Sequence, residues 1–304
     1  MRIYHKLSDG SERRLALAIG FFDGFHLGHR EIARLTLRSR APGRRAAVLT
    51  FAEHPSAYLR PGNEPPLLTT EQERLCLFAE AGFDECFFVP FDERIATLSP
   101  VQFLEILVER LRVATVAVGE TFRFGHGRAG DTTLMREFLV SRGVSFLAVP
   151  PVGDADGRVS STRIRALVAA GEIAAADRLL GGRGYEIRGV VIAGAGRGHR
   201  LGFPTANLAL PEKLLPKDGV YAATARHDGR DYAALVSIGT NPQFGGERRS
   251  VEAWLRDFHH TIYGRELWLR DLRYLREQRL FANSGELVAQ MQRDVAAVGY
   301  PSYG

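Results

Sequence analysis

The sequence predicts two domains of different class: a doubly wound α/β domain built on a parallel sheet, then a small antiparallel β-barrel with a C-terminal helix. Three observations carry that reading. Short apolar runs alternate with capped amphipathic segments as far as residue 180, which is strand–helix alternation. Gly181-Gly182-Arg183-Gly184 then interrupts the pattern. From Tyr185 the chain changes to strand-like runs separated by Gly, Asn, Asp and Pro. The expected domains are residues 1–181 and 182–304, both of ordinary size.

Taken in order, Leu15–Phe22, Ala46–Phe51, Cys86–Val89, Val113–Gly119 and Val144–Val149 read as buried strands, being apolar runs of strand length. The helices between them carry their own start signals. Thr70 with Glu73 and Ser99 with Gln102 form capping boxes, Pro100 suits a first helical position, and Asp131 suits an N-cap. Ser161–Ala170 and Glu172–Leu180 read as closing helices split by Gly171. In the second domain Tyr185–Ile192, Gly219–Arg226, Tyr232–Ile238, Ser250–Phe258 and Glu266–Leu272 are the strand candidates. Asn283 with Glu286 caps a last helix whose apolar stripe is Leu287, Val288, Met291 and Val295.

Composition narrows the function without naming it. The chain is 45% apolar and 25% charged, so it folds around sizeable cores. Its formal charge is +5, almost wholly from arginine, since Lys6, Lys213 and Lys217 are the only lysines. Basic and acidic residues number 23 and 22 up to residue 181, and 17 and 13 beyond it. The densest basic run, Arg38, Arg40, Arg44 and Arg45, reads as a solvated helix end rather than a nucleic-acid platform. Two cysteines, Cys76 and Cys86, are too few for a disulfide framework or a cysteine zinc site. Met1–Arg14 is too polar for a signal peptide, and Leu15–Phe22 is far short of a membrane span. A soluble cytoplasmic protein that binds anionic small molecules, with no nucleic-acid or membrane partner, is the expectation.

Two segments carry chemistry. Gly20-Phe21-Phe22-Asp23-Gly24-Phe25-His26-Leu27-Gly28-His29 leaves the first strand and enters the first helix, where ligands of doubly wound folds sit. Its glycines let backbone approach a phosphate, and the helix N-terminus favours the negative charge. His26 and His29 flank Gly28 and can face one nucleotide; metal ligation would require a third ligand that the neighbourhood lacks. The second segment, Gly194-Ala195-Gly196-Arg197-Gly198-His199-Arg200-Leu201-Gly202-Phe203-Pro204-Thr205-Ala206-Asn207, reads either as a phosphate-wrapping loop or as a surface hairpin. Thr205 and Asn207 alternate and offer neutral oxygens suited to Mg²⁺. Glu252 shares a strand face with Trp254, and is either a solvated carboxylate or a base facing the glycine loop.

The first segment resembles the HxGH signature of the adenylyltransferase superfamily, which also contains class I aminoacyl-tRNA synthetases. Its GxFDGxHxGH form is similar to the FMN adenylyltransferase module of bacterial bifunctional riboflavin kinase/FAD synthetases. Thr50-Phe51-Ala52-Glu53-His54-Pro55, Phe122-Arg123-Phe124-Gly125 and Arg158-Val159-Ser160-Ser161-Thr162-Arg163-Ile164-Arg165 resemble further stretches of that module, the last its phosphate loop. Read alone, Ser160-Ser161-Thr162 is equally a helix cap. Gly202-Phe203-Pro204-Thr205-Ala206-Asn207, Asp218-Gly219-Val220-Tyr221-Ala222 and Gly239-Thr240-Asn241-Pro242 resemble riboflavin kinase.

The resemblance implies a Rossmann-like nucleotidyltransferase domain ahead of a kinase barrel. It implies ATP-dependent phosphorylation of riboflavin to FMN, then adenylation of FMN to FAD with release of pyrophosphate. ATP and Mg²⁺ are the implied co-substrate and cofactor. The resemblance assigns Glu252 as catalytic base and His26, His29 and Arg165 as stabilisers of adenylyl transfer. It assigns Gly20, Phe22, Asp23, Gly24, Gly28, Thr121, Arg158, Ser161, Thr162, Gly196, Gly198, Gly202 and Pro204 to nucleotide binding. Thr50, Phe51, His54, Tyr221 and Arg276 fall to the flavin, and Thr205 and Asn207 to Mg²⁺. Thr121 departs from the Asn or Asp usual before Phe-Arg-Phe-Gly, and Gln243 from a usual Thr. One active half, or an HxGH-fold RNA-handling protein, are the competing readings.

Overall fold

The computed structural model describes residues 1–7, 13–194, 198, 202–240 and 249–296. In chain order the first part contains β1 (Arg2–Tyr4), β2 (Arg14–Ile19), α1 (Leu27–Arg38), β3 (Arg44–Phe51), α2 (Pro55–Leu59), α3 (Glu71–Ala81) and β4 (Glu85–Val89). Then come α4 (Glu93–Ala96), α5 (Pro100–Glu105), β5 (Val113–Gly119), α6 (Thr132–Ser141) and β6 (Ser145–Val149). A ribbon of β7 (Gly153–Asp154) and β8 (Gly157–Arg158) leads to α7 (Ser161–Ala170) and α8 (Ile173–Leu180).

The six strands form one sheet in the order β1-β4-β3-β2-β5-β6, parallel throughout. Strand order reverses between β2 and β5, so the crevice of this fold lies beyond their C-terminal ends. The sheet is buried on both faces, as a doubly wound sheet requires. Leu15, Leu17 and Ile19 of β2 pack with Leu104 and Leu139 on one side. Ala18, Ala46 and Val48 pack with Ile32, Leu77 and Phe78 on the other. The capping boxes at Thr70–Glu73 and Ser99–Gln102 and the Asp131 N-cap are all present. The short elements α2, α4, β7 and β8 add to the sequence reading, and two strands differ from it. β2 stops at Ile19 because Phe22 turns left-handed, and β1, three residues at the sheet edge, carries too little pattern to be read.

The second part contains β9 (Ile187–Ile192), β10 (Thr205–Leu208), β11 (Gly219–His227), β12 (Arg230–Gly239), β13 (Ser250–Leu255), β14 (Glu266–Arg276) and α9 (Ser284–Ala296). The strands close into an antiparallel barrel, β10-β13-β12-β11-β14-β9. Val251, Ala253 and Leu255 of β13 point inward, and Ser250, Glu252 and Trp254 outward, as alternation demands. Val295 of α9 packs on an outer apolar patch of Val220, Ala222, Ala233 and Leu235.

The chain divides into two compact units, Met1–Ser161 and Thr162–Gly304. The sequence boundary at residue 181 marks the end of α8, where Gly181 adopts φ 83°. The packing boundary falls earlier, inside α7, because α8 packs along β14. A Cβ at Gly171 would lie 3.5 Å from both Lys217 and the Tyr221 hydroxyl. No glycine or proline marks a division inside a helix, which is why the sequence does not announce it.

Cys86 is fully buried on β4, whereas Cys76 is partly exposed on α3. Burial pushes the Cys86 thiol up to about 12. An acid held protonated by folding loses stability as pH rises past its unfolded value of about 8.5. At pH 8 a thiol reagent is therefore expected to modify Cys76 alone in the folded protein, and Cys86 only after denaturation. Prompt modification of both thiols in folded protein contradicts this packing.

Candidate active sites

The first site grows out of the turn that ends β2. Phe22 sits at φ 59°, Gly24 at φ 78° and Phe25 at φ 42°, so two bulky residues occupy a region L-residues avoid. The turn is held from several sides. The Asp23 carboxylate is 2% exposed and accepts from the Leu68 N–H on both oxygens (2.9 and 3.0 Å). It also accepts from the Thr69 N–H (3.0 Å) and the Thr69 hydroxyl (2.9 Å), and Thr69 Oγ1 accepts in turn from the Gly24 N–H (3.1 Å). The Phe22 ring folds back under Gly20, where a Cβ would stand 3.0 Å from it, and packs edge-on to Phe78.

The turn delivers two imidazoles together. His26 is the N-cap of α1, its Nδ1 accepting from the His29 N–H at 3.4 Å. An accepting Nδ1 places the proton of the neutral ring on Nε2. The two rings stack with centroids 3.6 Å apart and planes 17° apart. Gly28 permits the stack, since a Cβ there would stand 3.2 Å from the His26 ring. Ser161 Oγ donates to the Asp23 carbonyl (3.0 Å), which brings the start of α7 to the turn. Beyond β5, Arg158 donates to Thr121 Oγ1 at 3.2 Å. The hydroxyl at this departure from the family pattern therefore anchors a loop arginine.

At the end of β3, Phe51 meets Phe91 edge-on (4.9 Å), and the His54 ring meets Phe21 edge-on (4.7 Å). Thr50 is fully buried and donates to the Phe21 carbonyl (3.0 Å). Thr50, Phe22 and Asp23 support the turn, each 2% exposed or less. Thr162 and Arg165 lie on α7, Thr162 exposed and Arg165 half-buried. The residue that sequence reasoning missed is Arg74, which donates to the Phe21 (3.3 Å), Phe51 (2.8 Å) and Ala52 carbonyls. A helical arginine reads as solvent face, and nothing in the spacing marks this one as buried.

The second site is organised by register. On β10 and β13, Asn207 stands opposite Glu252, and Thr205 opposite Trp254. Thr205 and Asn207 lie on a strand, shorter and less apolar than its neighbours, where the sequence showed only a loop. Glu252 is flanked by hydroxyls: Thr205 Oγ1 donates to Oε2 and Ser250 Oγ to Oε1, each at 3.4 Å. A Cβ at Gly194 would run into the Asn207 amide, and one at Gly198 into the Phe203 carbonyl and toward Thr205 Oγ1. Gly194 and Gly198 therefore lie against the two residues expected to hold Mg²⁺. Gly202 has φ 82°, and Pro204 is exposed; Gly196 and Gln243 lie outside the described residues.

The Glu252 row continues across the barrel wall as Ser237, Val220 and Arg276. Ser237, another residue the sequence did not flag, accepts from Gln278 Nε2 at 2.8 Å. Arg276 is held by Asp294 of α9 (Nη2–Oδ2 2.6 Å), and Gln290 donates to the same carboxylate. Tyr221 lies on the opposite face of β11 from Val220 and Ala222, and so inside the barrel. It is fully buried and donates to the Lys217 carbonyl at 2.5 Å, and burial pushes its phenol up. Its place is that of a strut, tying β11 to the Lys217 carbonyl.

Among the described residues no cluster of three or more His, Cys, Asp or Glu has metal-site geometry, and no helix is long and apolar enough to cross a membrane. A family model described as FAD synthetase matches residues 8–163, and one described as riboflavin kinase matches residues 181–299. The chain is 35% identical to the bifunctional riboflavin kinase/FMN adenylyltransferase of Escherichia coli K12, over 97% of this chain and 95% of that protein. It is 32% identical to the Bacillus subtilis protein of the same name, over 95% and 93%. A crystal structure described as a macrolide-efflux protein from Streptococcus pneumoniae matches with TM-score 0.86 and 27% identity over 99% of both chains.

Asp23→Ala leaves the buried donors of Leu68 and Thr69 unpaired, at a cost of roughly 2–4 kcal/mol to the first unit. Urea unfolding and FMN adenylation assays are expected to show that loss together with collapse of adenylation. Wild-type stability and rate in the variant contradict the role given to the carboxylate.

Proposed function

The chain belongs to the bifunctional riboflavin kinase/FMN adenylyltransferase family, and from that premise we propose how its two sites divide the two reactions. The barrel site phosphorylates riboflavin. Its 5′-hydroxyl loses a proton to Glu252 and attacks the γ-phosphorus of ATP, releasing ADP and leaving FMN. The observation that carries this is the register setting Asn207 directly opposite Glu252, with Thr205 Oγ1 at 3.4 Å from the same carboxylate. The base therefore stands beside the two residues expected to hold Mg²⁺.

Thr205 and Asn207 offer neutral oxygens, the donor type Mg²⁺ takes when substrate phosphates supply the negative charge. Bound there, Mg²⁺ would neutralise charge on the transferred phosphoryl group. Riboflavin's polyol would run past Ser237, the neighbour of Glu252 in the outward row. Arg276, fixed by Asp294, borders the far end of that row.

The first site adenylates FMN. The FMN phosphate attacks the α-phosphorus of a second ATP, forming the new P–O–P bond and expelling pyrophosphate. That phosphate is already ionised, so no base is needed. The work is alignment and stabilisation of charge on the equatorial oxygens. The stacked His26 and His29 and the start of α1 supply donors, joined by Arg158 of the phosphate loop, which is held by Thr121; the family resemblance assigns Thr162 and Arg165 to the same reaction. Phe51 and His54 form the flavin side. A family match over both halves gives no support to a single active half or to an RNA-handling protein. The substrates are riboflavin, FMN and ATP, and the cytoplasm is the compartment that supplies them.

Glu252→Ala is expected to slow FMN formation by about 10²–10⁴-fold while conversion of supplied FMN to FAD continues. Chromatography of both flavins over time reads this directly. Equal loss of the two activities would falsify the division of labour.

A further inference from the structure

Arg74 is among the largest fully buried side chains of the described residues, and among those residues no carboxylate lies within ion-pair distance of it. Its guanidinium is satisfied instead by main-chain oxygens: those of Phe21, just past β2, and of Phe51 and Ala52, at the end of β3. Two aromatic faces complete the cage, Phe21 with its centroid 4.3 Å from the guanidinium carbon and Phe88 at 5.2 Å. The Nε–H has no acceptor among the described residues. Desolvation holds the arginine below its ordinary range, with Asp23 the largest opposing influence. Burying a cation without a carboxylate is costly, and an apolar residue would fill the space without that cost.

The acceptors show what the cation does. All three belong to the backbone carrying Phe21, Phe51 and His54. Arg74 covers one face of the Phe21 ring, and His54 meets the same ring edge-on at 4.7 Å with planes at 78°. Thr50, donating to the same Phe21 carbonyl, ties β3 to this point. The nucleotide half of the turn has a separate anchor in Asp23 and Thr69. Two neighbouring halves of one site thus have different direct supports.

We propose that Arg74 is a positioning residue for the flavin side of the adenylyl-transfer site, fixing the Phe21 ring and the end of β3 against which FMN rests. The proposal rests on the assignment of Phe51 and His54 to that side. A planar fork reaches three carbonyls and stacks on a ring; a lysine keeps the charge but supplies neither the plane nor the fork.

The test uses the full chain, with KM for ATP in adenylation as the control for the first unit and riboflavin kinase activity as the control for the second. Arg74→Lys is expected to raise KM for FMN by at least about tenfold, leaving KM for ATP within about twofold and kinase activity unchanged. A lower Tm with both KM values unchanged, or an equal rise in both, overturns the proposal by making Arg74 a general buttress. His54→Ala separates the two failures. If it too leaves KM for FMN unchanged, the flavin side is misplaced and the proposal falls with it. If it raises that KM and Arg74→Lys does not, Arg74 alone has been misjudged. Should the lysine variant lose the fold of the first unit, Phe21→Leu carries the test, since it spares the cation and removes the ring. It too is expected to raise KM for FMN selectively, and an unchanged value overturns the proposal.

Discussion

A buried carboxylate holds the first site together. Two bulky residues at positive φ in one short turn cost about 1–3 kcal/mol each. Hydrogen bonds to a charged acceptor return about 1.5–3 kcal/mol apiece. Asp23 collects bonds from Leu68 and Thr69, enough to offset strain at Phe22 and Phe25. Everything downstream follows from that turn: where α1 starts, why His26 is its cap, and why two imidazoles stack 3.6 Å apart at its mouth. The anchor at 68–69 immediately precedes the Thr70–Glu73 capping box, so the loop that restrains Asp23 is itself restrained by α3.

The barrel site rests on a different constraint, strand register. A shift of one residue between β10 and β13 would send Glu252 to the opposite face from Asn207. Inward Val251, Ala253 and Leu255 forbid that slip by burial, at about 25 cal/mol per Å² of apolar surface. The core of the barrel thereby fixes the placement of the base relative to Asn207. The same row leads to Arg276, whose bond to Asp294 fastens α9 over the outer patch.

Much of this was legible from residue order. Parallel strands announced themselves as apolar runs, and the capping boxes at Thr70 and Ser99 marked helix starts to the residue. The glycine segments were found because close backbone approach leaves few alternatives to glycine. What escaped had physical reasons. β10 presents Thr and Asn outward over only four residues, so no alternation accumulates. Arg74 resembles any exposed helical cation until three carbonyls and two rings are placed around it. Tyr221 and Arg276 both sit within motifs tied to the flavin, and the structure adds that the first is buried inside the barrel and the second is bonded to Asp294 of α9. Position in a motif does not reveal which face of a strand a side chain takes.

The central claim is that one chain performs two chemically different phosphorus transfers in sequence, phosphoryl at the barrel and adenylyl at the parallel sheet. The direct measurement is product stoichiometry during a single time course with riboflavin, ATP and Mg²⁺. The account predicts that FMN appears first with one ADP per FMN, and that FAD follows with one pyrophosphate per FAD. FAD formed without pyrophosphate, or FMN formed without ADP, contradicts it.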